Sequence, residues 1–334
     1  MLGEIARQQK PQVVEVSTAL TDAIMEHWTE QRDVLVPTLK PKEEEWREFW
    51  LSASSAHKWC PRMAALMTLY GDKLKGELIK ADTMWLFEQG HVFHDVLQQK
   101  ALMSLPREYF WGSWVRDIVD EEASKRAGHL VFHRESYQGE QPFANDDIER
   151  GWAIRPEAKE GEPPWRYVES KVRMRDIRVV VKMDGILALP GEKKEVLEIK
   201  TEDMTAGESL NPRLGGVARA QHVLQTRIAM MATGLERGRI LYVLKGARKP
   251  EDAFIEQIVE QDQSVVHGIR KLASDCVSAV KAVEDAKDRG HEIEVIAEEV
   301  DDYCPRLDDC PMKSKGRARY CEARDLCFLS KKKK

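Results

Sequence analysis

Residues 177–201 read IRVVVKMDGILALPGEKKEVLEIKT, and they constrain the fold more than any other stretch of the chain. Two apolar, β-branched runs flank a Leu-Pro-Gly-Glu turn signal at 189–192, so they read as two strands able to pair as a hairpin. Yet the first run holds Asp184, and the second holds Glu198 and Lys200. Side chains i and i+2 of a strand share a face, so Glu198 and Lys200 point together while Leu197 and Ile199 point the other way, into a core. A hairpin would bring Asp184 beside them. Two carboxylates converging in this way repel each other unless a cation lies between them. A hard, oxygen-seeking ion such as Mg²⁺ or Mn²⁺ suits that position. The amine can then help activate a water and stabilise charge developing on a phosphate. The competing reading is a salt-bridged Glu–Lys pair on a solvated strand face.

The surrounding chain has a clear order. Helical periodicity marks 17–36, with Ser17 and Thr18 as N-cap candidates, and 60–71, opened by Pro61. It returns over 81–105, where Trp85, Phe87, Val92, Phe93, Val96 and Leu97 supply an apolar side, and a further amphipathic stretch covers 107–126. Strand signals follow at 130–137, 166–172, 177–189 and 195–201, with a Gly-, Pro-, Asn- and Asp-rich loop or insertion over 138–165. A helix at 215–234, strands at 239–246 and 253–260, and a long helix at 262–289 complete the pattern. This order fits an α/β or α+β domain with a central mixed sheet and helices at both ends.

Net charge is −5 over 334 residues, which argues against a purely electrostatic nucleic-acid binder but leaves room for a local basic groove. Such a groove is suggested by Lys171, Arg173 and Arg175, which alternation would place on one strand face. As phosphate contacts they would position a strand without reading its sequence. No apolar run approaches the roughly 18 residues of a membrane span, and the N-terminus lacks a signal-peptide core. A cytoplasmic, reducing compartment is therefore expected, where cysteines serve as metal ligands or buried thiols before disulfides. No G-x-x-x-x-G-K-[ST] motif is present, so any ATP-driven unwinding would need a helicase partner.

With Asp184 and EIKT at 198–201, the chain resembles the PD-(D/E)XK nucleases, specifically the RecB-like branch that includes phage exonucleases and CRISPR-adaptation nucleases. FEQGHVFHDVLQ resembles that branch's helix with Gly, three residues, then His, here Gly90 and His94. HVLQTRIAM resembles its Gln-containing helix, with Gln225 in the matching place, although Ala229 stands where the family often has Tyr. LYVLKG resembles the following strand, with Lys245 facing DNA. The resemblance implies an α/β restriction-endonuclease-like core over 54–328, with an insertion at about 105–165. A helical extension at 1–53 would precede it, and a basic tail at 329–334 would follow. It also implies that His94, Asp184 and Glu198 hold Mg²⁺ or Mn²⁺. Lys200 would help activate water, and Gln225 would orient Lys200 or the substrate.

Four cysteines cluster near the C-terminus, Cys304, Cys310, Cys321 and Cys327, spaced C-x5-C-x10-C-x5-C. Such a cluster suggests a metal, but neither pair has the short C-x2-C spacing of a zinc knuckle. The family resemblance implies a [4Fe–4S] cluster instead, on Cys60, Cys310, Cys321 and Cys327, with Cys304 as the alternative to Cys310. Zinc on the four tail cysteines is the second reading. Cys276, within the long helix, reads as a buried thiol. The resulting expectation is a metal-dependent exonuclease acting on single-stranded DNA or DNA ends in a bacterial or phage-infected cell, with a helicase or recombinase as partner. The alternatives are a structure-specific or CRISPR-adaptation-type nuclease of the same superfamily and an inactive, metal-stapled nucleic-acid-binding subunit.

Overall fold

The computed structural model describes residues 49–70, 81–137, 152–248 and 250–291. The expected helix at 17–36, the first half of the loop at 138–165, the cysteines beyond residue 291 and the basic tail lie outside the described residues. Strand β1 (Leu51–Ser52) is followed by helices α1 (Pro61–Tyr70) and α2 (Ala81–Val96), and α2 runs on into a π-helical turn, Leu97–Ala101. Next come β2 (Phe110–Val119), α3 (Glu121–Ala127), β3 (Phe132–Ser136), β4 (Ala153–Ile154), β5 (Arg166–Val168) and β6 (Ser170–Met174). Then follow β7 (Val179–Met183), β8 (Gly185–Leu187), β9 (Glu195–Asp203), α4 (Ala220–Thr233), β10 (Arg237–Lys245), β11 (Phe254–Glu260) and α5 (Gln263–Asp288).

The main sheet runs β11-β10-β9-β8-β2-β3, with β4 and β5 also paired to β2. β9 and β10 are parallel, with α4 as the crossover between them, while β8 and β11 join antiparallel on either side. A second, small sheet runs β1-β7-β6. This is the mixed α/β sheet expected from the strand and helix order. Among the described residues no helix is long and apolar enough to cross a membrane.

Strand alternation sorts the core into two layers. Val196 on β9 joins Val181, Met183, Ile186, Ile228, Met230, Ile240 and Val280, a layer shared with α4 and α5. Leu197 and Ile199 join Phe110, Trp114, Tyr167, Leu187 and Val243 in a second layer, under the π-helical turn that supplies Leu97. Glu198 and Lys200 therefore lie on the α4 side, in phase with Val196. The β8–β9 hairpin pairs Gly185 with Leu197 and Leu187 with Glu195. Its Leu-Pro-Gly-Glu turn closes with Glu192 N donating to Leu189 O at 3.1 Å. Gly191 adopts a φ of 74° there, as the third residue of such a Pro-Gly turn requires.

Two expectations change. The run at 177–189 is one extended segment in sequence but two strands in space, because the chain leaves the small sheet as β7 and enters the main sheet as β8. The amphipathic stretch at 107–126 divides into strand β2 and the short helix α3. Its ambiguity has a plain cause. Phe110, Trp114 and Ile118 recur every fourth residue, a spacing that a helix face and a strand face both satisfy. Ser113 and Val115 are buried as well, so simple alternation is lost.

The break between β7 and β8 falls at Asp184–Gly185, where Gly185 has a φ of 152°. A Cβ there would sit 2.2 Å from Phe110 Cε2. Gly185→Ala therefore combines backbone strain with overpacking and is expected to cost about 2–5 kcal/mol. Urea denaturation would read this as a lowered midpoint; an unchanged midpoint would mean that this junction is looser than described.

Candidate active site

The junction after β7 delivers Asp184 to the middle of β9. Its Oδ2 accepts the Ile199 N–H at 2.7 Å, and its Oδ1 and backbone oxygen accept from Gln98 Nε2 at 3.3 and 3.4 Å. His94 Nδ1 lies 3.5 Å from Asp184 Oδ1. The helix carrying His94 crosses β9 closely: a Cβ on Gly90 would lie 3.5 Å from Thr201 Oγ1, at the end of Glu-Ile-Lys-Thr. The π-helical turn that follows widens the helix by one residue, and both Gln98 and Gln99 reach inward, Gln98 to Asp184 and Gln99 to the Tyr167 carbonyl at 2.7 Å.

Glu198 is buried, with its side chain 2% exposed. Its Oε1 pairs with Lys200 Nζ and accepts from Gln225 Nε2, which α4 brings to 2.7 Å. Its Oε2 is buried with no hydrogen-bond donor among the described residues. Burial pushes the Glu198 carboxyl up to about 7; Lys200 opposes this and Asp184 adds to it. Burial works against a charged Lys200 too, but Glu198 and Asp184 outweigh it and hold the amine above its ordinary value. For His94, burial is likewise outweighed by the hydrogen bond and charge of Asp184, so the imidazole sits above its ordinary value.

His94, Asp184 and Glu169 carry ligand atoms that all lie within 4.8 Å of one another. Glu169 is a residue the motif reading did not single out. It stands in the link between β5 and β6, and the Ser170–Met183 pairing places it opposite Asp184. The buried Glu198 oxygen, without a donor among the described residues, and this imidazole–carboxylate set supply the oxygen and nitrogen ligands that a hard divalent cation takes.

The remaining site expectations lie farther out. Lys171 and Arg173 are two residues apart on β6, with Arg173 held 5.9 Å over the Trp50 ring. Arg175 stands past the strand end in a 3-10 turn, so the alternation expected over all three stops at Arg173. Lys245 ends β10 and pairs with Asp203 at 3.5 Å. Cys60 precedes α1 half-buried, and Cys276 is buried in α5. Cys304, Cys310, Cys321 and Cys327 lie outside the described residues.

A family model described as the PD-(D/E)XK nuclease superfamily matches residues 51–328, the span that contains the whole of this site. The chain belongs to that superfamily. PD-(D/E)XK nucleases are hydrolases of nucleic-acid phosphodiesters, and the matched span includes Asp184, Glu198 and Lys200. No curated protein sequence matches the chain significantly. Among solved structures, SSO0001 is similar with 12% identity over 93% of this chain and 98% of its own, at a TM-score of 0.42. An alkaline exonuclease from Laribacter hongkongensis is similar with 10% identity over 79% and 97%, at 0.40. Its complex with dAMP is similar with 12% identity over 72% and 93%, at 0.34. At such scores these likenesses carry no weight for this chain's chemistry.

Proposed function

We propose that this nuclease is a metal-dependent deoxyribonuclease, acting as an exonuclease on single-stranded DNA or DNA ends. The observation that carries the reading is the junction of β7–β8 with β9, which holds Asp184 on the amide of Ile199, between Glu198 and Lys200, and leaves a buried Glu198 oxygen without a donor among the described residues. Asp184, Glu198 and His94 would hold Mg²⁺ or Mn²⁺. When bound, such an ion lowers the pKa of a coordinated water and polarises the phosphate. Gln225 orients the Glu198 carboxylate through Oε1, keeping Oε2 turned elsewhere. Lys200 is protonated at neutral pH, so its role is to stabilise negative charge on the phosphate rather than to take the water's proton. Hydrolysis adds the water oxygen to phosphorus, breaks the bond to one ester oxygen and delivers a proton to that leaving oxygen. Lys171 and Arg173 would guide the DNA backbone toward the site. A [4Fe–4S] cluster on Cys60, Cys310 or Cys304, Cys321 and Cys327 would tie α1 to the tail, and it takes no part in the chemistry.

The test uses end-labelled linear DNA, single- and double-stranded, beside covalently closed circles, with Mn²⁺. Loss of label from linear DNA with circles intact is the expected result. Cleavage of closed circles would replace the exonuclease by the endonuclease reading. Tight DNA binding without turnover would favour the inactive binding subunit.

The raised Glu198 and His94 values have a consequence for stability. Between about pH 4.5 and 7 the unfolded chain releases the Glu198 proton while the folded chain keeps it, so metal-free stability falls as pH rises through this window. His94 acts in the same direction, because its stabilising proton is lost as pH rises through its elevated folded value. Thermal melting of the chelated protein at pH 5 and pH 8 should show the lower Tm at pH 8. Added Mn²⁺ should raise Tm more at pH 8 than at pH 5. A shallower profile in Glu198→Gln, with the His94 share left, would assign part of the slope to Glu198; the same slope in that variant would remove Glu198 as a source.

A further inference from the structure

We propose that Glu169 is a ligand of the same divalent cation as His94, Asp184 and Glu198, adding a third carboxylate beside the imidazole in a site that favours Mn²⁺ over Mg²⁺. The inference rests on the metal-dependent reading above, and it adds a residue that lies outside the Asp…Glu-x-Lys pattern. Three observations carry it. The ligand atoms of the three side chains already lie within 4.8 Å of one another. The strand register of β6 on β7 sets Glu169 across from Asp184, and two amides of the π-helical turn hold the two sides: Gln98 on Asp184 and Gln99 on the Tyr167 carbonyl, two residues before Glu169. Finally, Asp184 of this cluster accepts the amide of Ile199, the residue next to the buried Glu198, whose Oε2 has no donor among the described residues. A buried acceptor left in this way, one residue along β9 from the amide that Asp184 holds, points to a cation rather than to a solvated acidic surface.

Glu169 is also uncommitted. Its one ion pair among the described residues is with Lys182 at 3.8 Å, both side chains being well exposed. Such a pair contributes little and releases the carboxylate readily. An imidazole among carboxylates suits Mn²⁺ better than Mg²⁺, which prefers an all-oxygen octahedron and sheds its waters reluctantly.

Glu169 and its ion-pair partner Lys182 give opposite expectations, which makes the assignment testable by binding alone. Calorimetric titration of the metal-free full chain with MnCl₂ should show weaker binding in Glu169→Gln, by about tenfold or more. Lys182→Met, which removes the competing cation, should bind Mn²⁺ at least about twofold more tightly. Glu169→Asp, which keeps the charge on a shorter arm, should fall between wild type and Glu169→Gln. Each variant's melting temperature in chelator shows whether it is folded; if Glu169→Gln does not fold, the Lys182→Met and Glu169→Asp titrations decide. Wild-type affinity in Glu169→Gln, or no tightening in Lys182→Met, would overturn the assignment. If the wild type binds Mn²⁺ and cleaves DNA while these variants match it, Glu169 alone is wrong. If the wild type neither binds Mn²⁺ nor cleaves DNA, the metal-dependent reading itself fails, and this inference falls with it.

Discussion

Asp184→Asn is expected to abolish cation-dependent cleavage, lowering kcat/KM by about a thousandfold or more, equivalent to about 4 kcal/mol of transition-state stabilisation. The carboxylate touches three separate elements around the site. It accepts the Ile199 N–H at 2.7 Å, takes Gln98 at 3.3 Å and faces His94 at 3.5 Å. Asparagine can still accept the Ile199 N–H, so the fold is expected to survive with a loss of about 1.5–3 kcal/mol, the range for a hydrogen bond to a charged group. Its second atom would be an amide nitrogen, a donor facing the donor Gln98, and no metal ligand. Cleavage assays with Mn²⁺ and a parallel Mn²⁺ titration would both show the loss. Wild-type turnover in a folded Asp184→Asn would remove this residue from the active site.

Lys200→Ala is the second large effect. The amine is held above its ordinary value by Glu198 and Asp184, so it meets the phosphate as a fixed positive charge in a half-buried place. Removing one such preorganised group costs about 10²–10³ in rate. The effect should fall on kcat, because the group acts on charge that grows in the transition state, with Mn²⁺ affinity retained or increased. Breaking a buried pair by deleting one partner can cost about 3–5 kcal/mol, but Glu198 can take up a proton and soften that loss. The loss in stability should therefore be larger at pH 8 than at pH 5. Equal kcat in the variant and the wild type would return Glu198 and Lys200 to the status of a structural salt bridge.

Much of the site was legible because strand geometry is local. The i, i+2 rule aligns Glu198 with Lys200 before any coordinates exist, and the Pro-Gly turn sets the hairpin that carries Asp184 to them. Gln225 lies where its helix motif suggested, within hydrogen-bond reach of Glu198, although it was expected to orient Lys200 or the substrate. What escaped the sequence depends on phase and register. Gln98 and Gln99 reach Asp184 and Tyr167 because a π-helical turn shifts the helix phase after Val96, and nothing in LQQKA announces that turn. Glu169 becomes a neighbour of Asp184 through the pairing of β6 with β7, a contact between segments that share no motif. A carboxylate in a strand link opposite a motif aspartate was the available signal, visible once 166–172 and 177–183 were read as paired strands. β2 was ambiguous for a different reason, because its every-fourth-residue aromatic spacing suits a helix and a strand alike. The cysteine ligand set stays a proposal, because only Cys60 of its members lies among the described residues.

The central claim is that these side chains form the active site of a divalent-metal-dependent nuclease. Its most direct test is one time course on end-labelled linear single-stranded DNA. Purified full-length protein would be assayed with Mn²⁺, then with EDTA in excess, then with Mn²⁺ restored. Cleavage that stops with the chelator and resumes with the metal is the predicted result. Cleavage that continues unchanged in EDTA, or none at all in Mn²⁺ by a folded protein, would contradict the account.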